Sequence, residues 1–217
     1  MSKYTLPTRQ NVQNEKLYVC IVGGGTGHRE QGKGPKILRS HNGESILEHQ
    51  VKTILGAFPE AHISVTTGFQ SDRILKNRPR IGVIENQLFE DTGPLEEMRL
   101  FLNTVFPSRL LIIDGAIYFN HLAIKITDYS SVLEYDNSDD KDISIQSSGD
   151  NLEWLCFGRD KKWAGIAYLD GMVLESFKKT VKRENNKLSI HEGINKVLAD
   201  NIPIKVVRNA QAEIYKL

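Results

Sequence analysis

Apolar positions along this chain fall into two rhythms. Leu17 to Val22 is a short unbroken apolar run that ends in glycines, the pattern of a strand covered on both faces. Farther on, Ile46, Leu47, Val51, Ile54, Leu55 and Phe58 recur at helical spacing until Pro59 ends the series. Ile63 to Thr66 again reads as a strand, Ser71 is placed to cap a short helix running through Lys76, and Ile81 to Glu85 reads as a third strand. A second amphipathic helix carries Leu95, Met98, Leu102 and Val105 on one stripe and stops near Pro107. Leu110 to Ile113 then has the composition of another covered strand. This alternation predicts an α/β fold, a three-layer doubly wound and mainly parallel sheet with Leu17–Val22 as its central strand.

Past about Asn120 the texture changes. Short alternating segments at Ser131–Tyr135, Asp142–Gln146, Leu152–Phe157 and Ile166–Leu169 are separated by polar stretches, which suits strands that extend the sheet or cover its end. Two helices are expected around Met172–Val181 and His191–Leu198, followed by a closing strand over Ile202–Val207. The expected organisation is an arm over residues 1–16 and a single domain over 17–217, divided into 17–120 and 121–217.

Composition narrows the partners. The 217 residues carry 28 Lys plus Arg against 27 Asp plus Glu, a formal net charge of +1, so no long-range field gathers nucleic acid or an anionic membrane. No apolar run approaches the roughly 20 residues of a bilayer span. The stretch Met1–Lys16 has neither the apolar core of a secretory signal nor the Arg-rich character of a transit peptide, and the expected compartment is cytoplasmic. Cys20 and Cys156 each sit inside an apolar run, as buried free thiols do. The acidic stretch from Glu134 to Asp142 reads as a solvated loop, since it lacks the Gly and terminal Glu of a calcium loop.

The chemistry concentrates at Gly23-Gly24-Gly25-Thr26-Gly27-His28-Arg29, which continues through Lys33-Gly34-Pro35-Lys36. Glycines at the end of a central strand let the backbone approach a ligand closely, and their N–H groups can wrap a phosphate. Around them Arg29, Lys33, Lys36 and Arg39 face Glu30 alone, a local charge of +3 suited to a polyphosphate. A P-loop would need Gly-Lys-Ser/Thr, yet the chain reads Gly34-Pro35-Lys36-Ile37. A dinucleotide fingerprint would put His28 where a small residue must pack and Pro35 inside the phosphate-binding helix. What remains is Gly-x-Gly-x-Arg followed by Pro-Lys, here Gly25-Thr26-Gly27-His28-Arg29 and Pro35-Lys36.

With that signature the sequence resembles the superfamily of NTP transferases that includes sugar-phosphate nucleotidylyltransferases and phosphocholine cytidylyltransferases. Gly43-Glu44-Ser45-Ile46-Leu47-Glu48-His49 is similar to the family segment that opens the first helix, and Val65-Thr66-Thr67-Gly68-Phe69 to its Val-Val-Thr-Gly-Tyr strand end. Glu85-Asn86 and Thr92-Gly93-Pro94-Leu95 resemble the base-contacting region, and Ala164-Gly165-Ile166-Ala167-Tyr168-Leu169 a later Ala-Gly-Ile-Tyr strand. The resemblance implies a Rossmann-like, GT-A-like fold in which 17–120 binds nucleotide and 121–217 the acceptor. It implies transfer of an NMP from an NTP to a sugar phosphate or phosphoryl alcohol, with release of pyrophosphate and dependence on Mg²⁺. Gly23, Gly24, Gly25, Thr26 and Gly27 would hold the nucleotide, Arg29 and Lys36 the triphosphate or the attacking phosphate, and Thr92 and Gly93 the base. The expected partners are the NTP and a small phosphorylated acceptor, with assembly into a homo-oligomer left open.

The sequence departs from the family at the metal site. Where the family carries Gly-Asp-Val-x-Phe, this chain reads Ile112-Ile113-Asp114-Gly115-Ala116-Ile117-Tyr118-Phe119, so one alignment puts Ala116 at the ligand position and a shifted one puts Asp114 there. Asp114 is the expected metal ligand; its alternative is a structural acid binding N–H groups of the next loop. A second family carboxylate, in an Ile-Asp-Thr-like segment, has Glu213-Ile214-Tyr215-Lys216-Leu217 in its place. Two other readings stay open: a GT-A-type glycosyltransferase, disfavoured because Asp114-Gly115-Ala116 lacks a second acid, and a catalytically weak nucleotide-binding regulator. Trp154 is expected in the core, Trp163 could stack on a base or sugar, and Lys161, Lys162 and Lys205 are expected to be solvated. Asp170 is expected to be a turn residue or helix cap.

Overall fold

Covered strands and amphipathic helices alternate through the first half of the chain as their patterns require. The structure, a computed structural model, describes residues 16–24, 34–41, 43–77, 81–136 and 142–216. The expected arm over 1–16 therefore lies outside the described residues except for Lys16, as do Gly25, Thr26, Gly27, His28 and Arg29. The elements run β1 (Leu17–Val22), β2 (Ser40–His41), β3 (Glu44–Ser45), α1 (Ile46–Ala57), β4 (His62–Thr67), α2 (Ser71–Asn77), β5 (Gly82–Glu85), α3 (Pro94–Thr104) and β6 (Arg109–Asp114). They continue as β7 (Ile117–Phe119), β8 (Ser131–Asp136), β9 (Ser144–Ser148), β10 (Asn151–Cys156), β11 (Lys161–Asp170), α4 (Gly171–Arg183), α5 (Ile190–Ala199), β12 (Lys205–Arg208) and β13 (Ile214–Lys216).

The main sheet, among the described residues, has the order β5-β4-β1-β6-β11-β8-β12-β10-β9. β5, β4, β1 and β6 are parallel, so their carboxyl ends share one edge. β11 is antiparallel to β6 and to β8, and β10 is antiparallel to β9 and to β12, while β12 runs parallel to β8. The sheet is thus mixed, which corrects the expectation of a mainly parallel one. Parallel neighbours need crossovers of a dozen or more residues. The turn Gly149-Asp150 is far too short for such a crossover, and it joins β9 and β10 as an antiparallel pair.

Successive side chains of a strand point to opposite faces, and the core divides accordingly. Val19, Ile21, Val65, Leu111 and Ile113 pack with Leu47 and Ile54 of α1 and Ile74 of α2. On the opposite face Cys20 and Ile112 pack with Met98 and Phe101 of α3, Phe177 and Val181 of α4, and Ile194 of α5. Helices on both faces give three layers. No helix of the described residues is long and apolar enough to cross a membrane.

Local signals explain where the helices start. Ser45 closes a capping box on α1: its Oγ accepts Glu48 N–H at 3.2 Å, and Glu48 Oε2 accepts Ser45 N–H at 3.0 Å. Ser189 does the same for α5 with Glu192. Replacing Ser45 by alanine is expected to cost about 1 kcal/mol, seen as a melting temperature lower by about 2–4 °C.

Cys20 is buried as expected but Cys156 only half-buried, and three further placements differ from the sequence reading. Trp154 is 43% exposed on β10 rather than in the core, because a register irregularity between Leu152 and Trp154 turns it outward. Lys162 is 2% exposed, its Nζ donating to Arg159 O at 2.7 Å and Ser144 Oγ at 3.3 Å. The acidic stretch is anchored at both ends: Glu134 is buried on β8 against Arg208, and Asp142 bonds Tyr135 and Lys216.

Candidate active site

The register of the parallel strands builds the site. Val22 pairs with Thr66 on one side and with Asp114 on the other, so these three residues form a row on one face of the sheet at its carboxyl edge. That is where open α/β sheets bind ligands. α3 lies on the same face and brings Glu97 beneath the row. A cleft of about 240 Å³ opens there, walled by Val22, Pro94, Ile112, Ile143, Trp163 and Ile190. Its polar lining is Glu97, Asp114, Ser189, His191 and Lys216.

Asp114 ends β6. Its Oδ1 accepts the Ala116 N–H at 2.9 Å, which fixes the turn into β7. From α1, Gln50 Nε2 donates to Asp114 O and Ile117 O at 2.9 and 2.8 Å and holds the same turn from below. Burial pushes the Asp114 carboxyl above the usual range; the Ala116 N–H and the charges of Lys216 and Lys36 pull the other way, and Asp142 adds to the rise.

Gly165 lets β11 come close to Asp114. Its φ is +80°, and a Cβ there would lie 2.8 Å from the Asp114 Cβ. The residue sits in the stretch where β11 slips register against β8. Gly165→Ala would combine a left-handed backbone with that overlap, at an expected cost of about 1–3 kcal/mol. Thermal melting measures the loss, and the displaced carboxylate should lower whatever activity depends on Asp114.

Glu97 is 2% exposed. Its Oε2 accepts the Gly24 N–H at 3.0 Å and the Thr66 hydroxyl at 2.5 Å. Burial raises its carboxyl to about 7, against the pull of the Thr66 and Gly24 hydrogen bonds, with Asp114 adding a smaller rise. Gly24 is needed here for packing, since a Cβ would fall 2.7 Å from the Glu97 carboxyl. Gly23 and Gly115 similarly make room for Ile37, whose Cδ1 lies about 3 Å from where each Cβ would stand. In this way the far end of the glycine-rich segment is seated on the strand ends.

The remaining polar residues come from distant parts of the chain. β13 pairs with β7, Lys216 opposite Ile117, and this carries Lys216 Nζ to 3.1 Å from Asp142 Oδ1 and 3.3 Å from Trp163 O. Trp163 is held by its Nε1–H, which donates to Ile166 O at 2.9 Å. Ser189 Oγ and His191 Nδ1 are 2.6 Å apart at the start of α5. Burial lowers the His191 pKa, which favours the neutral ring.

Of the residues singled out in the sequence, Gly23, Gly24 and Asp114 meet at this edge. Lys36 is exposed, and its charge reaches Asp114. Thr92 donates to Leu88 O at 2.8 Å and accepts from Asn86 Nδ2 at 2.9 Å; the Gly93 N–H is taken by Asn186 O at 2.7 Å. Gly25, Thr26, Gly27 and Arg29 lie outside the described residues. Sequence reasoning missed Glu97, Lys216, Ser189 and His191 as site residues. The one available signal was an acid at 97, one helical turn before the apolar Phe101 and one residue before the stripe residue Met98.

The fold is that of α/β nucleotidyltransferases. The chain superposes on the CTP:phosphocholine cytidylyltransferase LicC from Streptococcus pneumoniae with a TM-score of 0.75, 13% identity and 93% of each chain covered. For the inositol-1-phosphate CTP transferase from T. maritima the TM-score is 0.74, with 14% identity over 94% of this chain and 89% of the other. For a UDP-glucose pyrophosphorylase it is 0.72, with 11% identity over 93% and 92%. In sequence, 84 residues are 30% identical to the bifunctional protein GlmU of Solibacter usitatus (strain Ellin6076), a match spanning 38% of this chain and 18% of that protein. No protein-family model matches the chain.

Proposed function

We propose that the protein is a nucleotidyltransferase that moves an NMP from an NTP to a small phosphorylated acceptor, a sugar phosphate or phosphoryl alcohol, and releases pyrophosphate. The observation that carries this reading is the row Thr66, Val22, Asp114 at the carboxyl edge of the sheet. It sets a carboxylate beside the exit of the glycine-rich segment, with the second wall of the cleft supplied by residues 143–191.

The chemistry asks little of the protein beyond placement and charge. An anionic oxygen of the acceptor phosphate attacks the α-phosphorus, the new P–O bond forms, the bond to the bridging oxygen breaks, and pyrophosphate departs with that electron pair. No general base is required, since the nucleophile is already ionised. Two anions must instead be aligned and the growing charge on the leaving group stabilised. In this reading Gly23, Gly24, Gly25, Thr26 and Gly27 line the nucleotide, Arg29 and Lys36 hold the triphosphate, and Thr92 and Gly93 border the base. Trp163 and the Ser189–His191 side of the cleft receive the acceptor.

Mg²⁺ fits the donor set in its sparse form. That ion commonly takes one or two protein carboxylates and completes its shell with water and substrate phosphates. Asp114 spends Oδ1 on Ala116 and keeps Oδ2 for a cation. Among the described residues no group of three acidic, His or Cys side chains gathers around it, so phosphate oxygens would supply the rest of the shell. Bound there, the ion would neutralise charge on the reacting phosphates.

The test is pyrophosphate release from each NTP against sugar 1-phosphates and phosphocholine, with and without EDTA. Release that needs both substrates and is abolished by EDTA is expected. Saturable NTP binding with no release for any pair would instead favour a binding homologue without turnover.

A further inference from the structure

The chemistry above leaves Glu97 without a task. A carboxyl group 2% exposed on a helix packed against the sheet is costly to keep. Capping the Gly24 N–H and meeting the Thr66 hydroxyl need one oxygen, Oε2, and a neutral side chain could supply that acceptor equally well. What the glutamate adds is Oε1, which has no hydrogen-bond partner among the described residues, on a side chain that lines the cleft. Val22, Pro94 and Ile112 line the same cleft, and Asp114 lies near enough for its charge to act on Glu97. When the carboxyl is ionised, Oε1 is a free acceptor in the cleft, directly under the first described glycines, and suits a flat or compact group carrying an N–H or O–H.

We propose that Glu97 reads the nucleoside of the bound NTP by accepting, at Oε1, a hydrogen bond from a donor on the base edge or the ribose. This rests on the nucleotidyltransferase reading and adds to it a specificity-determining residue. An exocyclic amino group and a ribose hydroxyl offer the same donor chemistry, and nucleotide pairs that differ in one of them separate the two.

Glu97→Gln is the diagnostic change. The Gly24 N–H and the Thr66 hydroxyl both donate to the side chain, so the amide oxygen must take the Oε2 place and the amide NH₂ must face the cleft. The site then donates where it formerly accepted. Equilibrium binding of CTP, UTP and 2′-deoxyCTP is measured at pH 8.5, where the glutamate is mostly ionised, with a melting curve of each protein as the folding control. If an amino group is read, the wild type binds CTP over UTP by about tenfold or more, and the variant reverses the order. If a ribose hydroxyl is read, the wild type prefers CTP to 2′-deoxyCTP by a similar factor and the variant narrows that gap. Unchanged CTP:UTP and CTP:2′-deoxyCTP ratios in a folded variant would overturn the assignment and leave the nucleotidyltransferase reading standing. Binding of neither CTP nor UTP by the wild type would overturn the assignment, and failure to bind ATP and GTP as well would overturn the nucleotidyltransferase reading.

Discussion

Asp114→Asn is expected to lower the rate of nucleotidyl transfer by about 10²–10³-fold, the loss typical when one preorganised charge-stabilising group is removed, and to leave the fold intact. The asparagine keeps an oxygen at the Oδ1 position for the Ala116 N–H, so the turn from β6 into β7 is preserved. It also removes a charge that burial disfavours in the folded state, so stability near neutral pH should hold or rise. These two signs separate the roles considered for this residue. A ligand for the reacting phosphates or their cation predicts a large loss of turnover with an unchanged or higher melting temperature. A purely structural acid predicts near-normal turnover once the turn is kept. Steady-state kinetics and thermal melting on the same preparation decide between them.

The second large effect is a pH dependence of stability set by Glu97. Its carboxyl is raised from 4.5 to about 7 in the folded protein. The folded state therefore holds a proton more tightly than the unfolded one, and linkage fixes the sign: the contribution is fully present below pH 4.5 and is lost as pH rises through 7. Each pKa unit is worth about 1.4 kcal/mol, so the loss is about 2.5 kcal/mol between pH 5 and pH 8. Glu97→Gln cannot ionise and should be more stable than the wild type above pH 7, the two converging near pH 5. Subtracting the two denaturant-unfolding curves across pH isolates this residue from Asp114, whose shift has the same sign, and from His191, whose shift is opposite. A difference that does not change with pH would contradict the burial of an ionisable carboxyl beneath Gly24.

The parallel half of the sheet was legible in the sequence because covered strands carry unbroken apolar runs and their helices carry periodic stripes. Leu17–Val22 is an interior strand flanked by β4 and β6, although the middle of the sheet is β11, and the helix over Leu95–Val105 appears as α3. The direction of the later strands was not legible. Short alternating segments record which face is buried but not which neighbour they meet, and β11 beside β6 is a pairing across about fifty residues of chain. Trp154 was misplaced for a related reason, since one register irregularity turns a strand residue to the other side.

At the site, Gly24 and Asp114 were readable from strand-end patterns, although the physical need for Gly24 here is room for Glu97. Glu97 itself was hidden. A helix of this kind buries a wide face, with Glu97 and Phe101 next to Leu95, Met98 and Leu102, and an acid in such a stretch reads as solvent-facing until the sheet is placed over it. Lys216 depends wholly on the pairing of β13 with β7, three residues each, which no local pattern announces.

The proposed reaction is transfer of a nucleotidyl group to a phosphorylated acceptor. In the most direct test, an NTP radiolabelled at its α-phosphorus is supplied together with phosphorylated acceptors, and the labelled products are separated by thin-layer chromatography. Movement of the label into an acceptor-linked diphosphate, with one pyrophosphate formed per product and no reaction without acceptor, is the predicted result. Label that remains in the NTP with every acceptor, or that is released as free NMP regardless of acceptor, would contradict it.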